Sequence, residues 1–129
     1  MTIAVCSQGS EVDSTVDQRF GRCAYFVLID PNSEQFESII NPALDAGGGA
    51  GVQAAQLLGN KGVEVVLVGN IGPKAISVFN AANINVYTEI QDTVEKTMAL
   101  YQEGKLKLLS ELTVSSHFGF RQGGGSRWR

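Results

Sequence analysis

A chain of 129 residues with 43 % hydrophobic and 18 % charged residues suits one folded domain. A chain of that size buries roughly two-thirds of its unfolded surface around a single core. The formal net charge of −3 argues against nucleic acid or an anionic membrane as a partner, because both select basic surfaces.

The first residues, Met1-Thr2-Ile3-Ala4-Val5-Cys6, carry no basic n-region, and no apolar run approaches the roughly 20 residues that span a bilayer. Cytoplasmic residence is the expectation. Cys6 and Cys23 are too few for a disulfide scaffold and suit a reducing compartment. Residues 2–7 read as a strand, and 9–22 as a polar loop punctuated by Phe20-Gly21. The run Ala24 to Ile29 is almost unbroken apolar sequence, the mark of a strand covered on both faces. Asp30-Pro31-Asn32-Ser33 is turn chemistry, and the half-polar segment 35–40 suits an edge strand. Asn41-Pro42 ends it, and the loop Asp45 to Gly51 leads to a helix with Val52, Ala55 and Leu58 on one face.

Gly62 stops that helix, Val63 to Val68 is another buried strand, and Gly69-Asn70-Ile71-Gly72 leads to Pro73 at the first position of a second helix. Its inner face is Ala75, Ile76, Phe79 and Ala82, and Asn83 is a left-handed stop. Residues 84–87 make a short strand. Asp92-Thr93-Val94-Glu95 has capping-box spacing for a third helix, which ends at Gly104. Past Leu112 the pattern fades, so 1–112 reads as the domain and 113–129 as a flexible tail holding His117 and Trp128.

The order β-β-β-α-β-α-β-α predicts an α/β fold: a meander extended by right-handed crossovers into a five-stranded mixed sheet flanked by helices. One rim of that sheet collects the ends of strands one, three, four and five and the start of strand two. Cys6, Cys23, the loop Gly47-Gly48-Gly49 and the turn Gly69-Asn70-Ile71-Gly72 all map there. In open α/β sheets ligands sit outside the carboxyl ends of strands. Two glycine-led helix starts favour an anion, and Arg19 and Arg22 add positive charge over the same end. Each feature has a plainer explanation: small buried thiols, a mobile glycine linker, solvated arginines. Two thiols meeting at one rim would suit a soft metal or a metal–sulfur group.

Hydrolysis has little support. There is no HExxH, no CxxC and no Ser–His–Asp set, and His117 is the single histidine. Asp13, Asp17 and Asp45 are the acids on loops of that rim, which is thin material for a two-metal nuclease.

Asp17-Gln18-Arg19-Phe20-Gly21-Arg22, followed by Tyr25-Phe26-Val27-Leu28, resembles the dinitrogenase iron-molybdenum cofactor biosynthesis family, with NifX-type carriers and orange proteins among its members. The likeness extends through Asn41-Pro42, Gly62-Val63, Val68 to Ile76 and Ala82 to Val86, covering roughly 1–112. It implies a ribonuclease-H-like fold without nuclease activity. It also implies non-catalytic carriage of iron-molybdenum cofactor, its precursor or a related Mo/Fe/Cu–S cluster between cofactor-assembly and acceptor proteins. Family members often have histidine where this chain has Arg19. On that likeness Cys23, with Cys6, would be the metal ligand, and Arg19, Phe20, Gly21, Arg22, Gly47, Gly48, Gly49, Gly69, Asn70 and Gly72 would line the cluster site. The same rim without metal would serve as a protein-interaction or small-anion module.

Overall fold

The computed structural model describes residues 1–42 and 49–109. Gly47, Gly48, Asp45, His117 and the 113–129 segment lie outside the described residues. The elements in chain order are β1 (Ile3–Ser7), β2 (Tyr25–Ile29), β3 (Phe36–Ile40), α1 (Ala50–Asn60), β4 (Val65–Leu67), α2 (Pro73–Ala81), β5 (Asn85–Thr88), α3 (Val94–Gln102) and β6 (Lys107–Leu109).

The strands form one sheet in the order β3-β2-β1-β4-β5-β6. β1, β2 and β3 pair antiparallel as a meander, with Cys6 opposite Phe26 and Phe26 opposite Ile39. β4 and β5 add parallel to β1, through α1 and α2. The sheet has six strands where the sequence pattern gave five. The extra one, β6, folds back antiparallel on β5. Three residues are too short to display a period of two, and Lys107 breaks what apolar character they have.

Alternation along β1 explains the layers. Ala4 and Cys6 face one core with Phe26, Leu28, Ala54, Leu58, Val66 and Phe79; Ile3 and Val5 face a second with Val27, Leu67, Val94 and Met98. α1 and α2 pack together on the first face, and α3 covers the second. All five residues of β1 are buried, as a central strand between helical layers requires. β3 is an edge, and Phe36 and Ile40 on it are exposed.

Asn83 and Gly62 do adopt left-handed conformations, with φ of 60° and 78°, where helices end. The third helix is capped differently from the sequence expectation. Thr93, not Asp92, is the N-cap, and its hydroxyl accepts from the Lys96 N–H at 3.3 Å. Asp92 instead takes a left-handed φ of 69°, so the backbone enters the helix one residue later.

Candidate functional site

Parallel addition of β4 and β5 to β1 places the ends of β1, β3, β4 and β5, and the start of β2, on one rim. Three helix starts and the long 8–24 loop gather there. The loop is stitched down rather than free. Val12 and Ser14 carbonyls accept from the Glu95 and Val94 N–H groups at 2.8 and 2.9 Å, so protein atoms close the start of α3. α1 and α2 are different: Gly49 and Gly72 lead them in, and neither start has a side-chain cap or an acidic residue in its first turn.

Those two starts converge. A Cβ built on Gly51 would lie 3.7 Å from the Ala75 Cβ in the first turn of α2 and 4.0 Å from the Phe20 ring. Phe20 itself is buried, its ring 5.8 Å from Phe26 and 5.4 Å from Phe79. It pins the loop into the core under both helix starts. Its N–H donates to the Asn70 carbonyl at 3.0 Å, and Arg19 bridges Asn70 as a short parallel ladder. Gly21, at φ 90°, lies against the Gly51 backbone, where a Cβ would come within 2.9 Å of the Gly51 Cα. Gly69 is equally constrained, because a Cβ there would fall 2.7 Å from the Gln18 carbonyl oxygen.

A concavity of ≈ 480 Å³ opens along the stretch between β1 and β2, lined by Gln8, Asp17, Arg19, Arg22 and Ala24. The Arg19 guanidinium grips Asp17 with two bonds of 3.1 Å, and the Arg19 N–H adds a third at 2.9 Å. The Asp17 side chain is 4 % exposed while that of Arg19 is 67 % exposed, so the carboxylate is inside and the cation is out. Burial pushes the Asp17 carboxyl up, but hydrogen bonds from Arg19 outweigh it and hold the group below the usual carboxylate range. Arg19 is thereby oriented, with part of its charge spent locally.

Cys6 and Cys23 do meet, but not on the surface. Each is 0 % exposed, and both lie within the core on the α1–α2 side. Burial, reinforced by the neighbouring thiol and by Asp17, raises the Cys6 thiol well above its usual range, so it stays protonated. The segment carrying Cys23 is held by Asn41, a buried side chain whose Nδ2 donates to the Gly21 and Cys23 carbonyls at 3.0 Å each. Among the described residues no three His, Cys, Asp or Glu side chains converge as a ready metal cage. What this rim offers is positive charge, backbone donors and a pair of thiols one layer beneath.

Sequence reasoning placed Arg19, Phe20, Gly21, Arg22, Gly49, Gly69, Asn70 and Gly72 at this end, and they are at or beside it. It missed Asn41 as the strut beneath the loop and Gln8 as a wall of the concavity. The spacing of Asp17 and Arg19, two residues apart in a loop, was the available signal for their clasp.

The family model described as dinitrogenase iron-molybdenum cofactor matches residues 1–104. The chain belongs to this family. An uncharacterized protein of Methanocaldococcus jannaschii is 35 % identical over 98 residues, covering 74 % of this chain and 83 % of that protein. The apo form of the orange protein from Desulfovibrio gigas superposes with a TM-score of 0.81 at 36 % identity, covering 84 % of this chain and 92 % of that one. A Thermotoga protein provisionally described as NifB follows at a TM-score of 0.72 and 34 % identity, covering 82 % and 90 %. Dinitrogenase-cofactor family members thus share this mixed sheet and its helices. Among the described residues of this member, no helix is long and apolar enough to cross a membrane.

Proposed function

We propose that this protein binds and carries an anionic metal–sulfur cluster at the rim between the Arg19–Ala24 stretch and the starts of α1 and α2, without catalysing a reaction. The cargo is iron-molybdenum cofactor, its precursor or a related Mo/Fe/Cu–S cluster, passed between assembly and acceptor proteins in the cytoplasm. The observation that carries this reading is the convergence of two helix starts lacking side-chain caps beside an arginine-bearing loop, in a chain of this family. The ribonuclease-H-like motif implied by the likeness would correspond to β3-β2-β1-β4-β5, with β6 as an addition.

Magnitudes limit how the cargo is held. Two helix starts supply on the order of 1–4 kcal/mol toward an anion, well short of the ~8 kcal/mol of a micromolar complex. Charge-assisted bonds from Arg19 and Arg22, at roughly 1.5–3 kcal/mol each, close most of that gap. A Cys23 thiolate would close it fully. Ligation by Cys23 requires the Arg19–Ala24 stretch to turn outward and give up its Asn41 bonds. The burial of both thiols favours a second reading, a metal-free small-anion site on the same rim.

Anaerobic reconstitution with iron, molybdate or thiomolybdate, and sulfide tests the proposal. A coloured protein with bound metal and sulfide is expected, and a protein that stays colourless and metal-free sinks it. Bleaching by Cys23→Ser assigns a thiolate ligand; colour that survives Cys23→Ser but fails in Arg22→Glu assigns a cluster held by charge.

A further inference from the structure

The sheet ends on β3 at one side and on β6 at the other, and the two edges are built differently. β6 is three residues long and carries Lys107, both of which discourage a further strand. β3 has five residues with no lysine, proline or bulge, and its register with β2 runs unbroken from Phe36 opposite Ile29 to Ile40 opposite Tyr25. We infer that the β3 edge is a docking surface for a basic, extended segment of a partner protein, which adds to the sheet as a further strand.

The direction in which β3 offers its hydrogen bonds follows from the two ends of its ladder. The Asn41 N–H donates to the Ala24 carbonyl and the Asp30 N–H to the Gln35 carbonyl, each at 3.0 Å. Bonded and unbonded pairs alternate along an antiparallel ladder, so Glu37 and Ile39 bond β2 while Phe36, Ser38 and Ile40 turn their N–H and C=O groups outward. Among the described residues nothing answers those outward groups, and no strand lies beyond β3. Side chains on the same residues suit an incoming strand. Phe36 and Ile40 share one face of the sheet, 40 % and 70 % exposed, with the small Ser38 between them. A strand laid along this edge finds free backbone donors and acceptors and two apolar side chains at alternate positions, as strand addition requires.

Charge selects the occupant. No lysine or arginine stands between Arg22 and Lys61, while Asp30, Glu34, Glu37 and Asp45 all fall within that stretch. Glu34 and Glu37 are exposed and join none of the ion pairs among the described residues. A second copy of β3 fits this edge poorly. Antiparallel pairing of Phe36 with Ile40 of the other copy leaves the two Glu37 side chains as diagonal neighbours, acid beside acid. Lysine or arginine opposite Glu37 makes a favourable cross-strand pair instead. The partner's segment therefore alternates apolar side chains, set beside Phe36 and Ile40, with basic ones set beside Glu37. This surface stands whether or not the rim carries a cluster.

The test titrates the full, isotopically labelled chain with three capped peptides and follows its amide NMR signals. One peptide alternates valine with lysine, one alternates valine with glutamate, and one keeps the lysines of the first with proline in place of valine. The valine–lysine peptide should shift residues 36–40 saturably, with a dissociation constant on the order of 0.1 mM for so small an interface. The glutamate peptide should not bind. The proline peptide carries the same charge but cannot pair as a strand, so its failure separates strand addition from bare attraction. Glu37→Lys should weaken binding of the valine–lysine peptide by roughly three- to tenfold. Ser38→Pro removes an outward N–H without touching the ladder to β2, so it should abolish the shifts and leave the circular dichroism spectrum unchanged. Should that variant fail to fold, Glu37→Lys, at an exposed position, decides the matter. The inference is overturned by an equal response to the proline or glutamate peptide, by shifts away from β3, or by no saturable response. Concentration-dependent dimers of the peptide-free protein that Ser38→Pro abolishes would also overturn it, since the edge would then serve a second copy.

Discussion

Gly69 is where the loop over the rim meets the end of β4, and its replacement by alanine gives the sharpest structural prediction. A Cβ at this position would stand 2.7 Å from the Gln18 carbonyl oxygen and 2.8 Å from the Gln18 Cα. These are backbone atoms, which cannot swing aside as the tip of a side chain can. Gln18 must withdraw by about 0.6–0.7 Å to restore ordinary contact, and it carries the acceptor for the Asn70 N–H as it goes. The Phe20 N–H bond to the Asn70 carbonyl, at 3.0 Å, is strained by the same movement. Overpacking of this kind costs about 1–3 kcal/mol, and two weakened hydrogen bonds add roughly 0.5–1.5 kcal/mol each. Gly69→Ala should therefore lose about 2–6 kcal/mol, a large part of the ~5–15 kcal/mol that holds a domain together. With a slope of ~1–3 kcal/mol/M, the urea midpoint should fall by about 1 M or more. Gly72→Ala, three residues on, is the internal control. Gly72 has a φ of −83° and a Cβ there would meet nothing within 4 Å. Its loss as an N-cap is offset by reduced freedom of the unfolded chain, so it should stay within about 0.5 kcal/mol of the parent. Urea unfolding followed by circular dichroism measures both. Equal midpoints for the two variants would refute the close-approach argument and, with it, the fixed seat of the loop on the turn after β4.

Two further predictions concern what holds that loop. Asn41→Ala strands the Gly21 and Cys23 carbonyls in a buried setting; at ~1–3 kcal/mol per orphaned group, a loss of about 2–6 kcal/mol is expected, with faster amide exchange across residues 21–24. Asp17 governs acid behaviour. Its folded value lies below its unfolded one, so its contribution is fully present above about pH 4 and is lost as pH falls through the folded value. Stability should drop on acidification below about pH 4, and Asp17→Asn should flatten that limb in a pH series of urea midpoints. An unchanged slope would mean the clasp with Arg19 is idle in solution.

Much of this architecture was legible in the sequence because the signals were local and redundant. The run Tyr25 to Ile29 could only be a covered strand, Pro73 could only open a helix, and Asn83 and Gly62 took the left-handed positions their chemistry suits. The meander and its parallel extension follow from the order of elements, and they fix which residues share the rim. β6 was hidden because its three residues owe their pairing to β5 rather than to their own pattern. The cap of α3 slipped by one residue because Asp92 and Thr93 are both good caps, and the loop carbonyls of Ser14 and Val12 decide between them from a distance in sequence. At the site, adjacency was readable but depth was not. Cys6 sits at a strand position facing the helices, and whether such a thiol is exposed depends on how far Phe20 and α1 cover it. Asn41 was invisible for the same reason, since its partners lie 18 and 20 residues away along the chain.

The most direct measurement of the cluster-carrying rim is an amide NMR titration of the reduced, isotopically labelled protein with tetrathiomolybdate under anaerobic conditions. Saturable shifts should concentrate on residues 19–24, on Ala50 to Val52 and on Lys74 to Ala75, and should weaken with added salt, because charge supplies much of the binding. Shifts that scatter over the sheet edge at Phe36 to Ile40, or no saturable response at all, would contradict it.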